Sequence, residues 1–318
     1  MQNIEILNAL ATLINDASSK NQMTIEQAFN VFIDYSKSSC REETIKYYKS
    51  KYKLLKQILN NLGIVHTGQI TKVSYSKIIN QLAALNYSNA TINKVCDLLK
   101  SIFKVVNDLE YINYNPIAGI KKLKETMPKI NIVKENTKKD IEDYLLNLEE
   151  TKENIRNIVL ILLLNDTGAR INEIINIKTK NIEIENNSIY LEFTKTNKYR
   201  YVYFREITKS YLIKLLEHVK SSEYLFLNFK NKKRLEKHSI YDIIQKIKDD
   251  LNIDYSISPH KWRHSLATEL VNDNINVNEI MTVLGHTQFS TTQRYIHQSN
   301  NKIKNDILLS LENKKKTI

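Results

Sequence analysis

Glycine is scarce in this chain. Five glycines are scattered over 318 residues, and no Gly-x-x-x-x-Gly-Lys run occurs. A loop that cradles nucleotide phosphates is therefore missing, and ATP use has no support in the sequence. Cysteine is scarcer still: Cys40 and Cys96 lie far apart with no histidine spacing around them. That excludes a disulfide-built scaffold and leaves no credible zinc site, so two free thiols are the expectation. Long apolar runs are lacking too. The longest strictly apolar stretch, Ile158 to Leu164, is seven residues, against the ~20 needed to span a bilayer. Met1 to Glu5 carries no positive leader region, and a cytoplasmic protein is expected. Acidic residues are outnumbered, 35 to 47, giving a net charge of +12. Such a balance favours a polyanionic partner, either nucleic acid or an anionic surface.

The length suggests about two domains. Apolar positions at Ile4, Leu7, Leu10 and Ile14 give residues 1–20 a helical pattern. From 21 to 120 the chain reads as a bundle of four or five helices: 24–35, 43–62, 74–85 and 89–109, closed by Asn115-Pro116. The helix from Glu43 interleaves lysines with tyrosines, Lys46-Tyr47-Tyr48-Lys49-Ser50-Lys51-Tyr52-Lys53. That pattern suits either a solvated face or contacts to phosphates. Residues 121–136, with Lys121-Lys122-Leu123-Lys124 and Pro128, read as a basic, extended linker.

A second domain is expected over 137–318. Thr137 with Asp140, and later Ser239 with Asp242, look like capping boxes. Residues 152–165 are apolar nearly all round, as in a core helix. A small antiparallel sheet follows: a strand over 182–184, one marked by Ile189, Leu191 and Phe193, and a third from Arg200 to Phe204. Lys195 sits at the hairpin between the last two. Further helices are expected over 208–219 and 239–251, and Ile303, Ile307, Leu308 and Leu311 make a narrow apolar stripe near the end.

The chemistry concentrates in Ser258 to Tyr295. Ser258 suits an N-cap and Pro259 a first helical turn. His260 and Arg263 then share a helical face. Leu284-Gly285-His286 reads as a helix stop followed by a loop histidine, and Ser290 as the cap of a short helix carrying Tyr295. Upstream, Asn165-Asp166-Thr167-Gly168-Ala169-Arg170 places Arg170 at the start of a helix, with Glu173 one turn on. Taken singly, a His-x-x-Arg pair or a late tyrosine is ordinarily structural. The order of the whole set carries the signal.

That order, Arg170, Lys195, His260-x-x-Arg263, Leu284-Gly285-His286, Tyr295, resembles the tyrosine recombinase family, the phage integrases and Xer-type enzymes. The segment from Lys195 to Val202 is similar to the family's Lys-Gly-x-Lys-x-Arg-x-Val hairpin. It departs at Thr194, Thr196 and Tyr203, and Lys198 is a rival to Lys195. The resemblance implies a mainly α fold with a small antiparallel sheet: a helical N-terminal DNA-binding domain, then a mixed α/β catalytic domain. It makes Lys46, Lys49, Lys53, Lys121 and Lys122 candidates for DNA contact.

Arg170 and Arg263 would clamp the non-bridging oxygens of a phosphodiester. Tyr295 would attack, although a phenol with an ordinary pKa of about 10 needs help. His260 would take its proton and Lys195 would protonate the leaving 5′-oxygen. His286 would donate to the phosphate, Glu173 would orient its neighbours, and His264 would be structural. No cofactor or metal is required, because the arginines and the lysine supply the positive charge. The implied assembly is a homotetramer on DNA with paired half-sites, with or without a partner recombinase or accessory factor. Integration, excision and chromosome dimer resolution all fit. A type IB topoisomerase-like enzyme and a non-cleaving DNA-binding regulator are the alternatives.

Overall fold

The computed structural model describes residues 23–125, 130–192, 199–286 and 288–298. The expected helix over 1–20, the hairpin tip with Lys195 and Lys198, and the apolar stripe after Ile303 lie outside these residues. The chain divides into two compact units between Pro128 and Lys129. The fold is mainly helical with small antiparallel sheets.

In the first unit, α1 (Ile25–Lys37), α2 (Glu42–Asn61), α3 (Lys72–Ala84) and α4 (Asn89–Asp108) pack as a bundle. Thr24 and Gln27 form the expected capping box at the start of α1. Apolar residues recur on α4 at helical spacing (Ile92, Val95, Leu99, Ile102, Val106), and all are buried. The tyrosines of α2 divide: Tyr52 turns inward and stacks on Phe29 at 3.7 Å between ring centroids, whereas Tyr47 stays exposed. Lys46, Lys49 and Lys53 lie exposed on the outer side of the same helix. Residues 121–125 run along α4. There the Asn93 side chain accepts from the Leu123 N–H and donates to the Leu123 carbonyl, both at 2.9 Å.

The second unit is built around α6 (Lys152–Thr167), which is buried on nearly every side from Ile158 to Leu164. It packs between α8 (Glu206–His218) and α10 (Pro259–Asn272). α5 (Glu135–Leu146) lies beside it, and the five-residue α7 (Ile171–Ile175) follows it. Strands β1 (Ile182–Glu183), β2 (Ser188–Leu191) and β3 (Arg200–Tyr203) form an antiparallel sheet in that order, with Ile189 opposite Val202 and Leu191 opposite Arg200. Successive side chains of a strand alternate in direction. Val202 and Arg200 are accordingly buried, whereas Tyr201 and Tyr203 face solvent. A second ladder, β4 (Leu227–Asn228) with β5 (Lys233–Arg234), has no signature in the sequence because each strand is two residues long. α9 (Lys237–Asp250), α11 (Val277–Leu284) and α12 (Phe289–Gln298) complete the unit. The single tryptophan, Trp262, is 1% exposed and belongs to the main core.

Several helix starts differ from the expectation. α5 begins at Glu135 and not at 138 behind a Thr137 cap, because the preceding residues are already tethered. Ser265 Oγ accepts from the Val133 N–H, and Tyr255 Oη accepts from the Lys134 N–H. α9 begins at Lys237 and not at Ser239: Leu235 is buried and its N–H donates to the Phe226 carbonyl, which delivers the chain to the helix early. Tertiary contacts thus override two capping boxes. Ser258 does stand at the N-cap of α10 with Pro259 next, but its side chain makes no cap hydrogen bond. α12 starts at Phe289, two residues before the Thr291 start that a Ser290 cap would set.

Candidate active site

Two helix ends build the floor of the site. α6 stops at Gly168 (φ +54°) and α11 stops at Gly285 (φ +65°), both in the left-handed region that favours glycine. The last carbonyls of a helix lack partners within it and carry its partial negative charge. Here they hold guanidiniums. Arg263 Nη1 donates to the Gly168 carbonyl at 2.9 Å and its Nη2 donates to the Leu284 carbonyl. Arg170 Nη2 donates to the Gly285 carbonyl at 3.0 Å.

Glu173 is the hub of the second layer. Its carboxylate is 1% exposed and accepts from the Arg170 N–H at 2.7 Å and from Arg170 Nη1 at 2.9 Å. It also accepts from Arg200 Nη1 at 2.9 Å and Nη2 at 2.7 Å. Burial pushes the carboxyl up, but the bonds and charges of Arg200 and Arg170 more than reverse this and leave it below its ordinary value. Arg200 also closes over Gly285. A Cβ there would stand 2.6 Å from Arg200 Nη1.

Three guanidiniums thus crowd around one carboxylate. Burial, followed by the charges of Arg170 and Arg200, pushes Arg263 down to about 9, which still leaves it a cation at neutral pH. The same causes act on His286. Burial, then Arg263, Arg170, Arg200 and His264, depress it to about 3, so its ring is neutral. A surplus of positive charge held by rigid backbone suits an anion with several oxygens, such as a phosphodiester.

Tyr295 belongs to a small cluster with Ala267, Ile280 and Leu284 and is 2% exposed. Its hydroxyl lies 2.6 Å from His264 Nδ1. The His286 ring is parallel to the tyrosine ring, 2° between planes and 6.4 Å between centroids. His286 Nδ1 is 2.8 Å from Thr292 Oγ1. Of the residues singled out in the sequence, Arg170, Glu173, Arg263, His286 and Tyr295 converge here. His260 occupies the first turn of α10 and is exposed. Lys195 is outside the described residues.

Three residues of this constellation were not given a chemical role from the sequence. His264, expected to be structural, is the histidine on the Tyr295 hydroxyl. Arg200 had a signal, since it alternates with Val202 on β3 and must share its inward face. Thr292 had a weaker one, its place three residues before Tyr295 on one helix. Among the described residues, no group of three or more His, Cys, Asp and Glu could hold a metal.

Residues 135–302 match the phage integrase family, and residues 38–124 match the phage integrase N-terminal domain. The chain belongs to the phage integrase family, the tyrosine recombinases. A probable integrase/recombinase of Acholeplasma phage L2 is 25% identical over 281 residues, covering 87% of this chain and 94% of the relative. The tyrosine recombinase XerC of Oceanobacillus iheyensis is 25% identical over 284 residues, covering 86% and 92%. Among solved structures, the fold is similar to that of a lambda integrase dimer bound to a COC′ core site, with TM-score 0.70 at 16% identity over 90% of this chain and 80% of the other. It is also similar to the Tn1549 transposon integrase in complex with a circular intermediate DNA, with TM-score 0.67 at 17% identity over 84% and 94%.

Proposed function

We propose that this chain is a site-specific recombinase that cleaves and rejoins duplex DNA through a 3′-phosphotyrosyl bond to Tyr295. The observation that carries the reading is the convergence of Arg170, Arg263 and His286 on the helix ends beside the Tyr295 hydroxyl. Arg170 and Arg263 bind the non-bridging oxygens, where charge grows as phosphorus becomes five-coordinate. The His286 N–H donates to the same phosphate. Glu173 and Arg200 hold Arg170 in place.

The phenolic hydroxyl is within hydrogen-bond distance of His264 Nδ1, which is the proposed acceptor of its proton. This moves the proton-accepting role one turn along α10 from the expected His260. Lys195 remains the proposed acid for the leaving 5′-oxygen. The phosphotyrosyl bond conserves the energy of the broken diester, so a second 5′-hydroxyl reverses the step without ATP. With Tyr295 buried, its hydroxyl has to be uncovered before attack.

Residues 21–120 are proposed as the domain that grips DNA, and 137–318 as the catalytic domain, joined by the basic stretch 121–136. Lys46 already pairs with Glu42 at 2.8 Å, and Lys122 with Asp97 at 2.6 Å. Both pairs are exposed and readily exchanged for phosphate. Lys49, Lys53 and Lys121 are exposed as well. DNA with paired half-sites and a homotetramer are the proposed partner and assembly; the DNA partner accords with the two DNA-bound integrases whose fold is similar. No helix among the described residues is long and apolar enough to cross a membrane.

The test uses duplexes selected by binding from a random-sequence pool, then nicked so that cleavage traps the protein. A covalent adduct on a denaturing gel, absent with Tyr295→Phe, is the expected result. Tight binding with no adduct from the wild type would overturn the assignment and leave a binding module.

A further inference from the structure

His286 is held at two points. Its backbone N–H donates to the Met281 carbonyl at 2.9 Å, just past the Gly285 stop. Its ring meets α12 through Nδ1 and the Thr292 hydroxyl at 2.8 Å. In an imidazole Nε2 lies across the ring from Nδ1, so it faces away from the Thr292 hydroxyl. Thr292 is fully buried. Elsewhere in this unit three helical threonines turn the hydroxyl back on their own helix, whereas the buried Thr208 donates to Asp166 Oδ2 at 2.6 Å. Thr167, Thr268 and Thr282 each donate to the carbonyl four residues earlier, at 2.6, 2.9 and 2.8 Å. Among the described residues no such bond is present at Thr292, whose hydroxyl goes to His286.

A neutral imidazole has one N–H, and which nitrogen carries it is set by what the other nitrogen meets. The ring here is kept neutral by burial and by the surrounding cations. Those guanidiniums favour a ring lone pair turned toward them, which would place the proton on Nδ1. That tautomer has no donor to offer a phosphate. A hydroxyl donating to Nδ1 opposes this preference.

We infer that Thr292 is a positioning residue that donates its hydroxyl proton to His286 Nδ1, and so keeps the imidazole proton on Nε2 as the donor to the scissile phosphate. The inference rests on the cleavage reading above and goes further, because it assigns the tautomer and the residue that sets it.

The test is 15N NMR of the full chain with labelled histidine, in which protonated and unprotonated ring nitrogens have well-separated shifts. A His286→Gln variant identifies the resonances. The expected wild-type signature between pH 5 and 8 is a protonated Nε2 and an unprotonated Nδ1. Thr292→Val should mix or invert it and slow adduct formation by about 10-fold to 100-fold, less than the ~100-fold to 1,000-fold of removing a fixed donor outright because the ring remains, with DNA binding unchanged. Thr292→Ser, which keeps the hydroxyl, should retain the signature and return the rate to within about 3-fold of wild type. A wild-type ring protonated on Nδ1 would overturn the inference whatever the variants do, as would a Thr292→Val protein with the wild-type signature and rate. If the wild type forms no adduct, the cleavage reading fails, and the shifts still decide the tautomer.

Discussion

Replacing Arg200 with methionine isolates the buried pair behind the arginine clamp. Arg200 and Glu173 are joined by two bonds of 2.9 and 2.7 Å, with side chains 5% and 1% exposed. Removing one partner of such a pair typically costs about 3–5 kcal/mol. Burial this complete calls for no solvent discount. Two features reduce the figure: Arg170 still bonds Glu173 through its backbone and side chain, and losing Arg200 relieves its repulsion of Arg263. The net expectation is about 2–4 kcal/mol, read as a shifted urea midpoint at constant slope.

The cost should also depend on pH. In the wild type Glu173 is below its ordinary value, so it stabilises the fold above the unfolded carboxyl pKa of about 4.3, and that stability is lost as pH falls through the folded value. In Arg200→Met the burial cost is less opposed. Protonation of Glu173 then relieves the fold, and the penalty should shrink toward pH 4. Glu173→Gln with Arg200→Met should cost less than the sum of the singles. A loss below about 1 kcal/mol, or additive singles, would refute the buried-pair account.

Gly285→Ala should cost about 1–2 kcal/mol from its positive φ and displace Arg200 as well; wild-type urea stability and cleavage in that variant would count against the close approach. His264→Phe should slow adduct formation at least 100-fold with DNA affinity unchanged, the size of a lost general base; if His260→Asn is the slower variant, the proton goes to His260. Since His286 is depressed to about 3, it stabilises the fold above its unfolded pKa of about 6.5, and that stability should decline as pH falls below it; His286→Asn should flatten this part of the stability profile. Lys49→Ala and Lys53→Ala should each reduce the salt slope of DNA binding by about 1, and an unchanged slope for both would remove α2 from the proposed interface.

Much of this was legible in the sequence, because the signals were periodic or bore on chemistry. The apolar run of α6 announced a core helix, and the alternation of Ile189 and Leu191 announced a strand of the sheet. Arg170, Arg263, His286 and Tyr295 were found from their order along the chain, and they meet in space. What was not legible depended on contacts between distant segments. α5 and α9 start early because Ser265 and Phe226, remote in sequence, fix the preceding residues. His264 follows Arg263 directly, and the sequence does not say that α12 brings Tyr295 to it. Arg200 could have been placed inward by its alternation with Val202, but its partner Glu173 lies on another element.

Trp262 gives the molecule an optical consequence. It is the only tryptophan, it is buried, and it stands immediately before Arg263 on α10. Emission excited near 295 nm therefore comes from the second unit alone, and from the helix that carries His260, Arg263 and His264. Tyrosines are spread over both units, but the first unit has no tryptophan and is silent at that wavelength. A titration with unlabelled DNA therefore reports the concentration at which the second unit changes, without labels and without a contribution from the first.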